Sequence, residues 1–336
     1  MCLIEKIKRY GSILLTALVF ILACSIPSSA STPATNLLAT LAASTPLSVD
    51  SPAQAAIPTF PDGEPFGQIA FTCQVFKVQA SNQICIINAD GTGFRRLTTD
   101  NTKQHYYPSV APDGKSVVYA AFREPNIYEI YEVDIATGSV KQLTDRLGNV
   151  NGPEISPDDK IIVFKLSTAN SNQLWLMDRD GSDQRRIPNV SGWDPTWSPD
   201  GKTILFASDM EGAIELFSIR VDGGELKKIG DLPAMRGRSD WSPDGQFIVT
   251  YSGQPWNRDV YIMNADGSNA HMLSPTGGNS QGPSFSPDGQ WVAFTSYFDK
   301  YGDDHGCEIY VMRVDGTDIR RLTNNDYCDY QPRWGP

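Results

Sequence analysis

Histidine is scarce in this chain of 336 residues, which contains only His105, His271 and His305. With so few histidines, the sequence offers no Ser–His–Asp triad, and we find no pair of carboxylates spaced for general acid–base catalysis. The chain is also poor in basic residues, with 28 Lys and Arg against 39 Asp and Glu and a net charge of −11. This balance argues against nucleic acid as a partner, because affinity for nucleic acid comes mainly from Lys and Arg contacts to phosphate.

Long apolar runs are missing too, and the apolar stretch near the N-terminus is only 12 residues long, Ser12–Ala23. It is too short to span a bilayer, and with the basic residues before it predicts a signal peptide over residues 1–23. The stretch ends in a sequence that resembles the bacterial lipobox, which implies that Cys24 becomes a lipidated N-terminus and attaches the protein to a membrane. Cleavage after Ala30 is the alternative and would release a soluble secreted or periplasmic protein. Residues 24–64, rich in Ser, Thr, Pro and Ala, are predicted to form a flexible linker.

What the chain has in abundance is a repeated turn. Its copies begin at residues 111, 156, 198, 242 and 286, in most cases as Ser-Pro-Asp-Gly, and a degenerate copy begins at residue 64. Each turn is followed by a short apolar run, a second such run and an Asp-Gly or Thr-Gly turn, and in four of the six copies a basic pair comes next. A period in the forties built from short strands predicts a β-propeller of four-stranded blades.

The two ends of the repeat region complete one another. Residues 332–336 resemble the first strand of a blade, and Gly67–Phe71 resembles a second strand that has no first. Their pairing would close a ring, so that no sheet edge is left open there. The prediction is an all-β, six-bladed propeller over residues 65–336 with antiparallel blades. The basic pairs, such as Arg95-Arg96, would lie on the outer edge strands, where charge discourages pairing with another chain.

The repeated Pro-x-aromatic-Ser-Pro-Asp-Gly turn, with its apolar strands and its final Leu-Thr, resembles the TolB-type (WD40-like) propeller family. The resemblance covers residues 65–336 and implies the six-bladed fold. TolB proteins also carry an α/β domain before the propeller, and only a low-complexity segment precedes the ring here. The resemblance makes a TolB-like role in a Tol–Pal-type envelope system one alternative for the function, and the difference before the ring argues against it.

Four cysteines lie within the predicted ring: Cys73, Cys85, Cys307 and Cys328. Four cysteines permit three pairings, and their places in the blades favour Cys73–Cys85 together with Cys307–Cys328. Export makes disulfides chemically reasonable. Four reduced cysteines are the alternative.

Three local patterns could indicate chemistry. Gly278–Gly282 matches the Gly-x-Ser-x-Gly elbow, but a strand rather than a helix is expected after it. Asp178–Asp183 resembles a calcium loop, although it occupies the ordinary hairpin of its repeat. His305 with Asp303 and Asp304, or His105 on the same face, would make a metal site for a hydrolase or lyase near the channel mouth. We predict no cofactor and favour a non-catalytic protein.

The loops that precede the first strands carry the main functional signal. Aromatic and arginine side chains dominate binding hot spots, and loops on a rigid scaffold carry function. We expect a monomer that binds a protein, peptide or glycan of the cell envelope at the mouth of the channel. The candidate ligand-binding residues are Tyr106, Tyr107, Trp193, Asp194, Arg238, Gln281, Tyr330 and Gln331.

Overall fold

The computed structural model describes residues 63–75, 81–124, 127–233, 235, 237–298 and 306–336. In this part of the chain, six four-stranded antiparallel sheets follow one another as the blades of a propeller. Within the same residues, no helix is long and apolar enough to cross a membrane. The predicted signal peptide, the lipidation site Cys24 and nearly all of the linker lie outside the described residues.

The strands are numbered in chain order, and each blade runs from an inner first strand to an outer fourth strand. The blades are β4–β7, β8–β11, β12–β15, β16–β19, β20–β23, and lastly β24 with β1–β3. The strands are β1 (Gln68–Gln74), β2 (Asn82–Asn88), β3 (Arg95–Arg96), β4 (His105–Val110), β5 (Ser116–Glu124), β6 (Ile127–Asp134), β7 (Val140–Gln142), β8 (Asn149–Ile155), β9 (Ile161–Ser167), β10 (Asn172–Asp178), β11 (Arg185–Arg186), β12 (Trp193–Trp197), β13 (Thr203–Ser208), β14 (Glu215–Arg220), β15 (Lys227–Lys228), β16 (Asp240–Trp241), β17 (Phe247–Gln254), β18 (Asn257–Asn264), β19 (His271–Met272), β20 (Gln281–Phe285), β21 (Trp291–Ser296), β22 (Glu308–Arg313), β23 (Arg320–Arg321) and β24 (Asp329–Gly335).

The ring is closed by the C-terminal strand, as the sequence predicts. β24 pairs antiparallel with β1, and Gln68 lies opposite Gly335 while Cys73 lies opposite Asp329. The predicted all-β fold with six four-stranded blades is confirmed. The start of β24 therefore marks one end of the channel, and its last residue marks the other end, roughly 20 Å away at the usual rise of a strand.

The repeated turn joins the first and second strands at the second of these ends. In one copy, Ser198 Oγ donates to Asp200 Oδ1 over 2.7 Å and accepts from the backbone N–H of Thr203 over 2.9 Å. The blades with turns at residues 156, 242 and 286 repeat both bonds. Ser and Asp thus fold the chain back on itself, and Gly201, with φ 68°, takes the left-handed conformation that the turn needs.

Apolar side chains of the second and third strands fill the space between neighbouring sheets. Phe164, Phe206 and Phe294 occupy equivalent places in three second strands, and none of them has exposed surface. Strands buried on both faces explain the nearly unbroken apolar runs of the sequence. The outermost strands are short, and basic pairs such as Lys227-Lys228 occupy four of the six, as predicted for exposed edges.

Both predicted disulfides are present. Cys73 and Cys85 join β1 to β2 with their Cα atoms 5.7 Å apart. Cys307 and Cys328 join the residue before β22 to the loop before β24, with Cα atoms 4.4 Å apart. The pairing predicted from the positions of the cysteines is confirmed.

Residues 63–66 run along the ring at the end where β24 finishes. The carbonyl of Gly63 accepts from Trp291 Nε1 over 3.2 Å, and the carbonyl of Phe66 accepts from Trp334 Nε1 over 2.8 Å. Glu64 forms an ion pair with Arg320 over 2.5 Å. The chain therefore enters the propeller at the end opposite the start of β24.

Candidate binding site at the channel mouth

The first strands present two rings of side chains to the channel. The first, here called the mouth ring, lies where the first strands begin and consists of Tyr107, Gly152, Asp194, Arg238, Gly282 and Gln331. The second, here called the inner ring, lies two residues further along each strand and consists of Ser109, Glu154, Thr196, Asp240, Ser284 and Arg333. In five of the six strands a proline separates the two ring positions, and Ser239 takes this place in the blade of β16.

The backbone is strained at the mouth ring. Tyr107, Asp194 and Gln331 have φ of 57°, 51° and 59°, in the left-handed region, and Gly152 and Gly282 hold the same conformation at 60° and 62°. The pairing of each of these strands with its second strand shifts register at this place. A left-handed residue other than Gly costs roughly 1–2 kcal/mol, so three strands keep large side chains where glycine would be cheaper.

The inner ring is held together by ion pairs across the channel. Arg333 Nε lies 2.8 Å from Glu154 Oε1, and Arg333 Nη1 lies 3.4 Å from Asp240 Oδ2. Ser284 Oγ donates to the same Asp240 oxygen over 2.9 Å. Burial raises the pKa of Glu154, an effect that the neighbouring Arg333 opposes. The inner ring thus forms a hydrogen-bonded layer beneath the mouth.

A cavity of about 310 Å³ opens above this layer. The blades of β16, β20 and β24 supply most of its lining, and Tyr107 and Asp194 come from two further blades. Its lining is aromatic and amide-rich, with few charges. The lining residues are Gln74, Tyr107, Asp194, Arg238, Tyr251, Gln281, Gly282, Thr295, Tyr297, Cys328, Tyr330 and Gln331.

Six of the eight predicted ligand-binding residues line this cavity: Tyr107, Asp194, Arg238, Gln281, Tyr330 and Gln331. Tyr106 and Trp193 do not. The hydroxyl of Tyr106 accepts from Asn82 Nδ2 over 2.9 Å, so this side chain contacts the neighbouring blade. The Trp193 indole lies beside Gly237, the residue before the next first strand.

Hydrogen bonds hold the mouth-ring side chains in place. Gln331 Oε1 accepts from Thr72 Oγ1 and from the backbone N–H of Tyr107, both over 3.0 Å. Asp194 Oδ2 accepts from the backbone N–H of Arg238 over 3.2 Å. Burial raises the pKa of Tyr107 and Tyr330, so both phenols stay neutral and can donate hydrogen bonds at physiological pH. The site offers rigid donors, acceptors and aromatic faces.

Besides Gly282, Tyr297 and Cys328, three lining residues were not among the predicted ligand-binding residues: Gln74, Tyr251 and Thr295. All three lie in second strands, towards the end nearest the mouth. Their signal in the sequence is a polar side chain in an otherwise apolar run. Lys165 interrupts the second strand of another blade at the equivalent place, and burial lowers its pKa, which the charge of Asp194 partly opposes.

An exposed aromatic side chain extends the site at its rim. Trp256 is 44% exposed, has φ 65°, and meets the ring of Tyr297 edge to face at 5.5 Å. Arg258 Nη1 donates to Gln281 Oε1 over 2.6 Å, which orients the amide of Gln281 at the cavity wall. The rim therefore adds an aromatic surface to the polar cavity.

The other sequence patterns lie in ordinary structural settings. Ser280 Oγ donates to Ser296 Oγ over 3.1 Å, and strand β20 follows it, so Gly278–Gly282 does not form a nucleophile elbow. Asp180 Oδ1 accepts from Ser182 N–H and Oγ, as in the other hairpins. His105 is buried, with Nδ1 3.1 Å from the carbonyl of Asn82.

Within the described residues, no group of three or more His, Cys, Asp or Glu is arranged to hold a metal ion. Asp303, Asp304 and His305 lie outside those residues.

Comparison with known proteins identifies the family. The model of the TolB beta propeller domain matches residues 62–254 and 225–336. The chain belongs to the TolB β-propeller family. An uncharacterized protein of Agrobacterium fabrum is 33% identical over 152 residues, which is 42% of this chain and 50% of that protein. The Tol-Pal system protein TolB of Francisella tularensis is 30% identical over 118 residues, 34% of this chain and 27% of that protein. This TolB-family chain thus spans half or less of the curated relatives it matches.

Solved structures show the same fold. TolB from Acinetobacter baumannii superposes with a TM-score of 0.70 at 25% identity, covering 82% of this chain and 68% of that one. A putative TolB from Agrobacterium tumefaciens gives a TM-score of 0.63 at 20% identity, covering 82% of this chain and all of that one. Two disulfides, together with the similarity to TolB, indicate an extracytoplasmic location for this TolB-family propeller.

Proposed function

We propose that this chain is a non-catalytic binding protein of the cell envelope, and that its mouth cavity binds one group of a peptide, protein or glycan. The observation that carries the proposal is the strained backbone of Tyr107, Asp194 and Gln331. Strain of this kind persists at functional sites, where a particular side chain is needed at a particular place. Gly152 and Gly282 fill the equivalent positions without that cost, which favours a role for the three larger side chains beyond folding.

The size and chemistry of the cavity limit what it can bind. About 310 Å³ is at the lower end of the range for small-molecule sites, which suits one or two sugar units or amino-acid residues. Tyr107, Tyr251, Tyr297 and Tyr330 offer aromatic faces and hydroxyl groups. Such a lining favours a polar group with a flat or apolar face over a purely apolar ligand.

The proposed attachment would leave the mouth of the cavity accessible. Residues 63–66 contact the ring at the end opposite the mouth. If Cys24 carries the lipid and residues 24–64 form the flexible linker, the linker joins the ring at the end away from the mouth and does not cover it. Intact mass of the membrane-extracted protein tests the anchor, and a soluble species that begins at Ser31 would refute it.

Two glycine substitutions test the binding role with matched backbone effects. Tyr107→Gly removes a cavity side chain at a left-handed position, and Asn269→Gly changes an exposed residue with φ 54° in an outer hairpin. Immobilised wild-type protein and both variants are incubated with solubilised envelope and with peptidoglycan fragments, and retained molecules are identified by mass spectrometry. Asn269→Gly should retain what the wild type retains, and Tyr107→Gly should lose it. Equal retention by all three proteins would contradict the proposal.

A role in a Tol–Pal-type system is the second candidate, and the similarity to TolB of Francisella tularensis supports it. In that case the partner at the mouth would be a protein of that system. Crosslinking in cells followed by mass spectrometry would recover a Tol–Pal protein. Recovery of other envelope components only would exclude this candidate and leave the binding role in place.

A further inference from the structure

Two buried arginines project into the channel, and they have different partners. Arg333 is 4% exposed and pairs with the carboxylates of Glu154 and Asp240. Arg238 is 6% exposed, and its Nη2 donates to the carbonyl of Pro108 over 2.5 Å. Among the residues that the structure describes, no carboxylate forms an ion pair with the Arg238 guanidinium.

The guanidinium of Arg238, a residue that lines the cavity, is incompletely satisfied. Its Nε is buried and has no hydrogen-bond partner among the described residues. The guanidinium carbon also lies 6.0 Å from the centroid of the Tyr107 ring. Burial lowers the pKa of Arg238 to about 10. A buried cation without a carboxylate partner is costly, and an anion entering the cavity would offset that cost.

The charges around the cavity permit such an anion. Asp194 is the acidic residue of the lining, and its charge acts on Lys165 as well as on Arg238. Arg258 contributes a further positive charge beside Gln281 at the rim. Glu154 and Asp240 lie in the inner ring, where Arg333 pairs with both, and the charge of Glu154 acts on Arg238 as well.

We propose that the mouth cavity takes a ligand that bears a carboxylate, and that Arg238 binds this carboxylate, an inference that rests on the binding role proposed above. A guanidinium presents its N–H groups as a planar fork that matches the two oxygens of a carboxylate. The tyrosines and amides of the wall would contact the rest of the ligand. The carboxylate belongs either to an acidic sugar or to the C-terminus of a peptide.

Two matched pairs of small probes separate the charge from the rest of the ligand. Methyl glucuronide is compared with methyl glucoside, and acetyl-dialanine with its amide. Each is titrated into the full chain at neutral pH by calorimetry. We expect the acid of one pair to bind about 10-fold to 100-fold more tightly than its neutral partner, because hydrogen bonds to charged groups contribute that much. The pair that shows the preference identifies the source of the carboxylate.

Two variants assign the preference to Arg238. Arg238→Gln should abolish it, and Arg238→Lys, which keeps the charge but not the fork, should retain only part of it. Melting temperature and circular dichroism check that both variants fold. If Arg238→Gln does not fold, Arg238→Lys alone tests the assignment. An acid preference that survives in the folded variants would overturn the inference, as would equal binding within both pairs or no binding of any probe.

The retention experiment with Tyr107→Gly separates this failure from failure of the binding role. If Tyr107→Gly loses envelope material while no acid is preferred, the binding role stands and the carboxylate assignment is wrong. If Tyr107→Gly retains the same material as the wild type, the binding role fails as well.

Discussion

The mouth ring and the inner ring are built by the same six strands at positions two residues apart, yet their polar groups have different partners. In the inner ring, Arg333 forms ion pairs with Glu154 and Asp240 across the channel. In the mouth ring, Tyr107, Arg238 and Gln331 face a cavity, and part of the backbone is strained. A polar layer that is satisfied internally stabilises the fold, whereas one that opens onto a cavity is suited to binding. The predictions below test this division.

The largest expected effect comes from breaking the inner ring. Arg333→Met leaves two mostly buried carboxylates, those of Glu154 and Asp240, without their partner and should lower the free energy of unfolding by about 3–5 kcal/mol. Denaturation in urea measures this change. Arg185→Met is the control, since its pair with Asp183 lies at the exposed outer edge and is worth less than about 1 kcal/mol. Similar small losses in both variants would show that the inner ring is not a stabilising layer.

The mouth end and the turn end should respond to pH in opposite directions. Burial raises the pKa of Asp329 at the start of β24 to about 7, so the folded protein keeps a proton that the unfolded chain releases near pH 4. The free energy of unfolding that Asp329 contributes therefore falls as the pH rises from about 4 to 7. At the turn end, the hydroxyl of Ser198 lowers the pKa of Asp200. The ionised Asp200 therefore stabilises the folded protein, and this stabilisation is lost only as the pH falls through the acid range.

Replacement of Asp329 tests this difference. Asp329→Asn should be more stable than the wild type above pH 7, by up to about 4 kcal/mol, and the advantage should vanish near pH 4. Urea denaturation across this pH range measures the difference. If the free energies of unfolding of the two proteins differ by the same amount at every pH, the Asp329 carboxyl does not titrate between about pH 4 and 7.

The disulfide beside the cavity should stabilise the mouth. The double variant Cys307→Ser, Cys328→Ser should lose about 2–4 kcal/mol, and the double variant Cys73→Ser, Cys85→Ser, which opens a shorter loop, should lose somewhat less. Thiol labelling of the denatured, unreduced mature protein should find no free cysteine in residues 65–336. Four reactive thiols would exclude both bonds.

The smallest effect on stability is expected at the rim. Trp256→Gly removes an exposed side chain and relieves a left-handed residue, so the free energy of unfolding should change by less than about 1 kcal/mol. Retention of the envelope material should weaken at the same time. A large loss of stability would instead identify Trp256 as a packing residue.

The fold was predictable from the sequence because one turn chemistry repeats at the end of the ring where the first and second strands meet. Ser198 and Asp200 make the same bonds as their counterparts in other blades, so the repeat itself defines the blades and the closure by β24. The first-strand positions at the mouth follow from the same repeat, which is why six of the eight candidate residues line the cavity.

The shape of the cavity was not predictable in the same way. It depends on which first strands carry Gly at the mouth, as at Gly282, and which carry large side chains. It also depends on Tyr251 and Thr295, which lie in second strands whose apolar sequences predict burial. Neither Trp193 nor Tyr106 lines it, because their side chains turn towards neighbouring blades. Such choices are settled by packing between blades, which a repeat does not encode.

Tyr107→Gly tests the division between the two rings most directly when its stability and its retention of envelope material are measured on the same preparation. Glycine is favoured at φ 57°, so relief of strain should offset the lost side-chain contacts and hold the change in unfolding free energy within about 1 kcal/mol. Retention of the material bound by the wild type should be lost. A marked loss of stability with unchanged retention would contradict the account, because the mouth ring would then be a second structural layer.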